Sequence, residues 1–227
     1  MTIKICASIQ PETIAEALKL IKKIEVYKTD FIEVRLDCLK EHEELAEIAD
    51  YKKTPLIATN RSTDSLGKFS GSETERQKTL LNAARNGFEY VDIELSTPKL
   101  KEIVKALFDM SAKPIVSFHD FNETPSLPKL REVLKKEMAN GAEVCKIVTT
   151  AKRAEDNLTV LNFVSQVHES AKIVCFSMGE LGKPSRFLSP LFGGFFTIAS
   201  LERGKETASG QLTVQEMRTA YDALGLT

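Results

Sequence analysis

Charged and apolar side chains alternate along the stretch Phe31–Asp37, and this alternation is the clearest chemical signal in the sequence. In an extended strand, successive side chains point to opposite faces. Glu33, Arg35 and Asp37 therefore share one face, and the apolar residues between them share the other. Because an unpaired buried charge is very costly, the charged face must meet water or a cavity that holds a charged partner. We interpret this stretch as one wall of a binding site.

Two further residues could carry out proton transfer or covalent chemistry. Lys146 lies inside the apolar run Glu143–Thr149. A lysine that is desolvated beside other cations loses its proton more readily, and its amine can form a Schiff base with a ketone. His119 ends another apolar run, and its imidazole suits proton transfer near neutral pH. The alternatives are a lysine whose ammonium reaches solvent and a histidine that packs in the core or beside Asp120.

Three arginines, Arg35, Arg61 and Arg186, follow three different apolar runs. Guanidinium groups hold carboxylates in a two-pronged fashion. If the runs end at a common surface, these side chains converge there and predict a small anionic substrate. The alternative is three separate surface ion pairs, each of which contributes little.

The elements that must position these residues are short β-branched runs alternating with longer segments of helical period. The predicted strands are Ile3–Ser8, Phe31–Asp37, Pro55–Asn60, Tyr90–Glu94, Pro114–His119, Glu143–Thr149, Lys172–Ser177 and Phe195–Ser200. The predicted helices are Thr13–Ile24, Glu41–Tyr51, Glu73–Asn86, Leu100–Met110, Lys129–Asn140, Ala154–Glu169, Arg186–Leu191 and Val214–Leu224.

Eight strand–helix units predict an α/β protein whose parallel sheet closes into a single (β/α)8 TIM barrel. No linker or shift in composition divides the chain, so we expect one domain over residues 1–227. In such a barrel the active site lies at the carboxyl ends of the strands. The candidate residues above occupy those positions.

Composition argues against several classes of function. The 227 residues carry a formal net charge of −1, which does not suggest a nucleic-acid surface. No apolar run approaches the roughly 18 residues of a membrane span, and the first residues lack a signal-peptide pattern. We therefore expect a cytoplasmic protein. Four widely spaced cysteines and three separated histidines offer no metal-binding spacing, so no metal site is predicted.

Taken together, these motifs resemble type I 3-dehydroquinate dehydratase over essentially the whole chain and in the family's order. The motifs that carry the resemblance are residues 33–37, Arg61-Ser62, residues 117–120, Lys146, residues 182–186 and Gly210-Gln211. The resemblance implies a homodimeric lyase of the shikimate pathway, which leads to chorismate and aromatic amino acids. This enzyme converts 3-dehydroquinate to 3-dehydroshikimate with loss of water.

The resemblance also implies a role for each site residue. Lys146 would form an imine with the substrate ketone, and His119 would act first as general base and then as acid. Glu33 would orient His119, and Arg186 would pair with the substrate carboxylate. The residues expected to hold hydroxyl groups and complete the pocket are Ser8, Arg35, Arg61, Thr207 and Gln211. No cofactor is expected, because a protonated imine is itself an electron sink.

The chain departs from the family pattern in two loops. After the third strand, Ser65 stands where the family has a carboxylate, and Leu66 stands where it has the first glycine. Before the last helix, Thr207 keeps a hydroxyl, whereas Ser209 replaces a proline that would stiffen the loop. We expect activity to survive these changes.

Two other functions are compatible with parts of the pattern. A class I aldolase acting on a sugar phosphate would share the lysine chemistry, but phosphate-binding barrels usually carry glycine-rich loops after strands seven and eight. Gly193-Gly194 precedes the eighth predicted strand instead. A catalytically inactive barrel that serves as an interaction module is the third possibility, and the presence of both His119 and Lys146 argues against it.

Overall fold

The computed structural model describes residues 3–51 and 53–226, in which eight strands alternate with eight α-helices. The strands are β1 (Ile5–Ile9), β2 (Phe31–Arg35), β3 (Leu56–Thr59), β4 (Tyr90–Glu94), β5 (Lys113–His119), β6 (Val144–Thr150), β7 (Ile173–Met178) and β8 (Thr197–Ser200). The helices are α1 (Ile14–Ile24), α2 (Leu45–Asp50), α3 (Glu73–Arg85), α4 (Leu100–Asp109), α5 (Leu127–Ala139), α6 (Asp156–Val167), α7 (Lys183–Leu188) and α8 (Val214–Ala223).

The strands form one parallel sheet that curls into a nearly closed barrel, which confirms the predicted fold class. Neighbouring strands pair in chain order from β1 to β7, and β8 pairs with the other edge of β1. At the seam between β7 and β8, the backbone N–H of Phe195 donates to the carbonyl of Ile173 at 2.7 Å. Because all strands run in one direction, their carboxyl ends meet at one mouth.

The core has an inner part and an outer part. Inside the barrel, Phe31 contacts Tyr90 and Phe196, with ring centroids 5.4 and 4.9 Å apart, and these rings fill the end opposite the mouth. Outside it, alternate strand residues such as Ile32 and Val34 pack against the helices. The apolar face of β2 is thus buried, as the alternation predicts. Among the described helices, none has the length and apolar character to cross a membrane.

Several predicted boundaries were wrong; helix α2, for example, begins at Leu45 rather than at Glu41. Two of these differences have a clear local cause. The second strand ends at Arg35 rather than Asp37, because Leu36–Cys38 is a 3₁₀ turn. That turn brings the Asp37 carboxylate back onto the Arg35 guanidinium, with N–O distances of 2.8 and 2.6 Å. Helix α7 begins at Lys183, three residues earlier than predicted, with a proline in its first turn, where a missing N–H costs no helical hydrogen bond.

Candidate active site

A cavity of about 330 Å³ opens at the barrel mouth and is lined by strand ends and by the loops that follow them. Eight of the nine predicted site residues line it: Glu33, Arg35, Arg61, His119, Lys146, Arg186, Thr207 and Gln211. Ser8 is not among the lining residues. Its hydroxyl lies behind Glu33 and donates a hydrogen bond to that carboxylate.

Lys146 projects from β6 into the barrel and is only 4 % exposed. Its Nζ lies 2.7 Å from Oδ2 of Asp92 on β4 and 3.6 Å from Oε1 of Glu33 on β2. The ammonium is therefore paired inside the barrel and does not reach solvent. A buried lysine held between two carboxylates at the floor of a cavity is positioned to meet a bound ketone.

Glu33 faces Lys146 from β2, and both of its oxygens accept hydrogen bonds. Oε1 accepts from the Thr59 hydroxyl at 2.8 Å, and Oε2 accepts from Ser8. Burial opposes ionisation of Glu33, but the charges of Lys146 and Arg35 outweigh it and lower the pKa of the carboxyl. Among the described residues, no hydrogen bond joins Glu33 to His119, and the ion pair of Glu33 is with Lys146, at 3.6 Å. That Glu33 orients His119 stays a prediction.

Arg61 follows β3 and is the centre of a buried charge network. Its guanidinium lies 2.8 Å from Oδ1 of Asp92 and 2.9 Å from Oε1 of Glu94, and it donates to the Ser117 hydroxyl at 3.1 Å. Ser117 in turn donates to Asp92 Oδ1 at 2.7 Å. Buried ions are tolerated when they are paired and hydrogen-bonded. The network therefore fixes Asp92, the carboxylate that hydrogen-bonds to Lys146.

Asp92 and Glu94 are two buried carboxylates behind the cavity lining that the sequence reasoning missed. They alternate on β4 with apolar residues and are 2 % and 7 % exposed. Their spacing is the same signal that identified Glu33 and Arg35 on β2. The alternation rule, applied to every predicted strand, would have found them.

Arg186 on α7 is a charged residue of the cavity for which the described part of the chain offers no counterion. It is 1 % exposed, and its guanidinium carbon stacks 4.2 Å from the centre of the Phe176 ring. Nη1 donates to the Ile198 carbonyl at 3.4 Å, whereas Nε and Nη2 have no partner among the described residues. Burial lowers its pKa. An anion entering the cavity would remove this electrostatic penalty.

His119 ends β5, half-buried at the cavity wall, with its ring stacked on that of Phe121 at a centroid distance of 5.7 Å. Burial and the nearby charges of Arg61 and Lys146 lower its pKa well below the usual value, while Asp92 opposes this effect. The imidazole is therefore neutral at physiological pH. A neutral imidazole is the form that can accept a proton.

The loop before α8 covers the cavity and is held by backbone contacts. Gly210 has φ +77°, and a Cβ there would lie 2.1 Å from the Gly179 carbonyl oxygen. The Gly179 N–H donates to the carbonyl of Ser209 at 3.1 Å. In the same loop, Gln211 Oε1 accepts from the Thr207 N–H at 2.7 Å, while Gln211 Nε2 is buried and has no partner within residues 3–51 and 53–226. That amide is thus available to a ligand.

The loop after β3 also lines the cavity, through Ser65 and Leu66. Leu66 is 72 % exposed and has φ +58°, a left-handed conformation that favours glycine. It keeps the backbone conformation suited to the glycine of the family pattern, but it adds an apolar side chain at the cavity mouth. Among the described residues, no group of three His, Cys, Asp or Glu side chains could hold a metal ion.

The chain is similar to known proteins in sequence and in fold. The family model for type I 3-dehydroquinase matches residues 5–227. A 3-dehydroquinate dehydratase of Dehalococcoides mccartyi is 42 % identical over 191 residues, which are 84 % of each chain. One of Methanococcus maripaludis is 34 % identical over 223 residues, covering 97 % of this chain and 100 % of the relative. The crystal structure of 3-dehydroquinate dehydratase from Geobacillus kaustophilus has the same fold, with a TM-score of 0.90 at 23 % identity over 99 % of this chain and 92 % of that one.

The environment of His119 gives the first prediction. Proton NMR of the histidine rings, with His119 assigned from the His119→Asn variant, should show it titrating well below the usual value of about 6.5. Burial and the two neighbouring cations disfavour the imidazolium. The variants His42→Asn and His168→Asn should leave that resonance unchanged. Titration of His119 at or above the usual value would contradict the described environment.

Proposed function

The chain belongs to the type I 3-dehydroquinase family, and we propose that it dehydrates 3-dehydroquinate through an imine on Lys146. It is a 3-dehydroquinate dehydratase, a lyase of the shikimate pathway. The observation that carries the proposed mechanism is the buried Nζ of Lys146, 2.7 Å from Asp92 at the floor of a cavity that also holds His119. Two expectations stay predictions: the cytoplasmic location, which the sequence pattern suggests, and the homodimeric state, which the family resemblance implies.

The proposed reaction begins with transfer of a proton from the Lys146 ammonium to neutral His119 and attack of the resulting amine on the ketone carbon. His119 returns that proton to the ketone oxygen, which leaves as water when the protonated imine forms, so that the imidazole is neutral again. The positive imine nitrogen acidifies the neighbouring C–H, and His119 takes that proton to leave an enamine. The enamine electrons then expel the hydroxyl group two carbons from the imine carbon, which leaves as water with the proton held by His119. Hydrolysis of the imine consumes one water, so the net change is the loss of one.

In this proposal the guanidinium of Arg186 binds the carboxylate of the substrate. Two of its guanidinium nitrogens have no partner among the described residues, and a carboxylate can accept from two guanidinium N–H groups at once. Arg35 and Arg61 are already paired, with Asp37 and with Asp92 and Glu94. They are therefore better suited to donate to substrate hydroxyl groups from fixed positions, together with Thr207 and Gln211.

The family membership favours this reaction over the aldolase that shares its lysine chemistry. The inactive-barrel alternative is disfavoured because His119 and Lys146 line the same cavity. Imine catalysis needs no separate cofactor, since the protonated nitrogen accepts the electrons of the broken C–H bond.

Borohydride reduction tests the imine. Treatment in the presence of 3-dehydroquinate should leave a stable adduct on Lys146 alone, because only an imine is reduced to a permanent amine. Lys146→Ala should abolish both the adduct and turnover. Lys172→Ala, which removes a half-exposed surface lysine, should leave both intact. Peptide mass spectrometry locates the adduct, and labelling at another lysine, or at none, would exclude this mechanism.

Kinetics of Arg186→Ala test the proposed carboxylate contact. The KM for 3-dehydroquinate should rise by the equivalent of about 2–5 kcal/mol, because the substrate carboxylate loses a desolvated partner. Lys183→Ala is the matched control, since it removes a charge from the same helix that is paired at the surface with Glu180. An unchanged KM in Arg186→Ala would mean that the substrate carboxylate binds elsewhere, with Arg35 and Arg61 as the next candidates.

A further inference from the structure

We propose that Asp92 is the positioning residue of the reaction, which holds the Lys146 nitrogen in place and acts as its fixed counterion. The inference rests on the proposed imine mechanism, and it names the residue that fixes the position of Lys146 Nζ, the atom that becomes the imine nitrogen. Asp92 Oδ2 lies 2.7 Å from Lys146 Nζ, whereas the nearest oxygen of Glu33 lies at 3.6 Å. Asp92 is therefore the carboxylate in hydrogen-bond contact with the reactive atom.

The position of Asp92 is fixed by two side chains that donate hydrogen bonds to Oδ1, the oxygen that does not contact Lys146. Oδ1 accepts from Arg61 at 2.8 Å and from Ser117 at 2.7 Å. Ser117 pairs in register with Lys146 on the neighbouring strand, so the hydroxyl comes from the strand between β4 and β6. Three donors thus contact one carboxylate: Arg61 after β3, Ser117 on β5 and Lys146 on β6. A lysine side chain with four flexible torsions gains a defined direction from such an anchor.

Asp92 remains an anion throughout. Burial opposes its ionisation, but the charges of Arg61 and Lys146 outweigh burial and hold its pKa well below the usual range. Such a carboxylate is a poor proton acceptor, so it does not act as the base. The nitrogen is positive both as an ammonium and as a protonated imine, and one preorganised anion serves both forms without rearrangement.

Asparagine cannot replace aspartate at this position. Both carboxylate oxygens accept hydrogen bonds, and the amide of Asp92→Asn would turn an NH₂ group toward either Lys146 or Arg61. Glu94 provides a matched control, because it lies on the same strand, is buried, and pairs with the same Arg61 at 2.9 Å. Its other ionic partner is Arg76, and no ion pair to Lys146 is found for it among the described residues.

Rapid-quench borohydride trapping distinguishes a carboxylate that positions Lys146 from one that only pairs with Arg61. At saturating 3-dehydroquinate, Asp92→Asn should form the trapped adduct about 10²-fold more slowly, the order expected when a reacting group is misplaced by about 1 Å. Glu94→Gln should trap at close to the unaltered rate and should show its defect in KM, through Arg61. Equal losses in the two variants, or an unaltered trapping rate in Asp92→Asn, would overturn the proposal.

The pH profile is a second readout that a purely structural role would not change. The negative charge of Asp92 raises the pKa of His119, whereas the positive charges of Arg61, Lys146 and Arg35 lower it. The acid limb of kcat/KM should therefore move to lower pH in Asp92→Asn. In Glu94→Gln it should stay in place. An acid limb that does not move in Asp92→Asn would contradict the proposed electrostatic role.

Two controls make every outcome decisive. If the unaltered protein itself traps no adduct on Lys146, the imine mechanism fails, whereas failure of the Asp92 comparison alone leaves that mechanism standing. If Asp92→Asn does not fold by circular dichroism, Ser117→Ala provides the same test in milder form. It removes one donor to Asp92, and slower trapping supports the proposal while trapping at the unaltered rate overturns it.

Discussion

The ion pair between Lys146 and Asp92 is the interaction on which the rest of the site depends. A lone ammonium inside a barrel would be very costly, and the carboxylates of β2 and β4 remove that penalty. Those carboxylates are in turn fixed by Arg61 and by hydroxyl groups from neighbouring strands. Arg186 lacks such a counterion among the described residues. Within the described part of the chain, the buried charges of the site are thus paired except at Arg186, where an anionic substrate would supply the missing charge.

The sequence predicted the barrel, its eight strands and one wall of the cavity, because hydrophobic period and charge alternation are local signals. It also singled out Lys146 and His119, which line one cavity. It did not predict which carboxylate pairs with Lys146, since Asp92 lies 54 residues away along the chain. That pairing follows from strand register and from the curvature of the closed sheet, neither of which a local pattern contains.

The loops were the least predictable part, for reasons that are visible in single residues. The turn after β2 brings the Asp37 carboxylate onto the guanidinium of Arg35, two residues earlier, a contact that hydrophobic periodicity does not indicate. Leu66 adopts a left-handed conformation in place of glycine, at a cost of about 1–2 kcal/mol that surrounding contacts must offset. The loop around Gly210 is fixed by backbone contact with Gly179, which no side-chain pattern reveals.

A crystal structure of the borohydride-reduced complex with 3-dehydroquinate would test the central claim most directly. The expected result is substrate carbon bonded to Lys146 Nζ, with Asp92 still in hydrogen-bond contact with that nitrogen. His119 should face the neighbouring carbon, and Arg186 should hold the carboxylate. A substrate bonded elsewhere, or an Asp92 carboxylate turned away from the modified nitrogen, would contradict the proposal that one fixed anion holds the reactive amine.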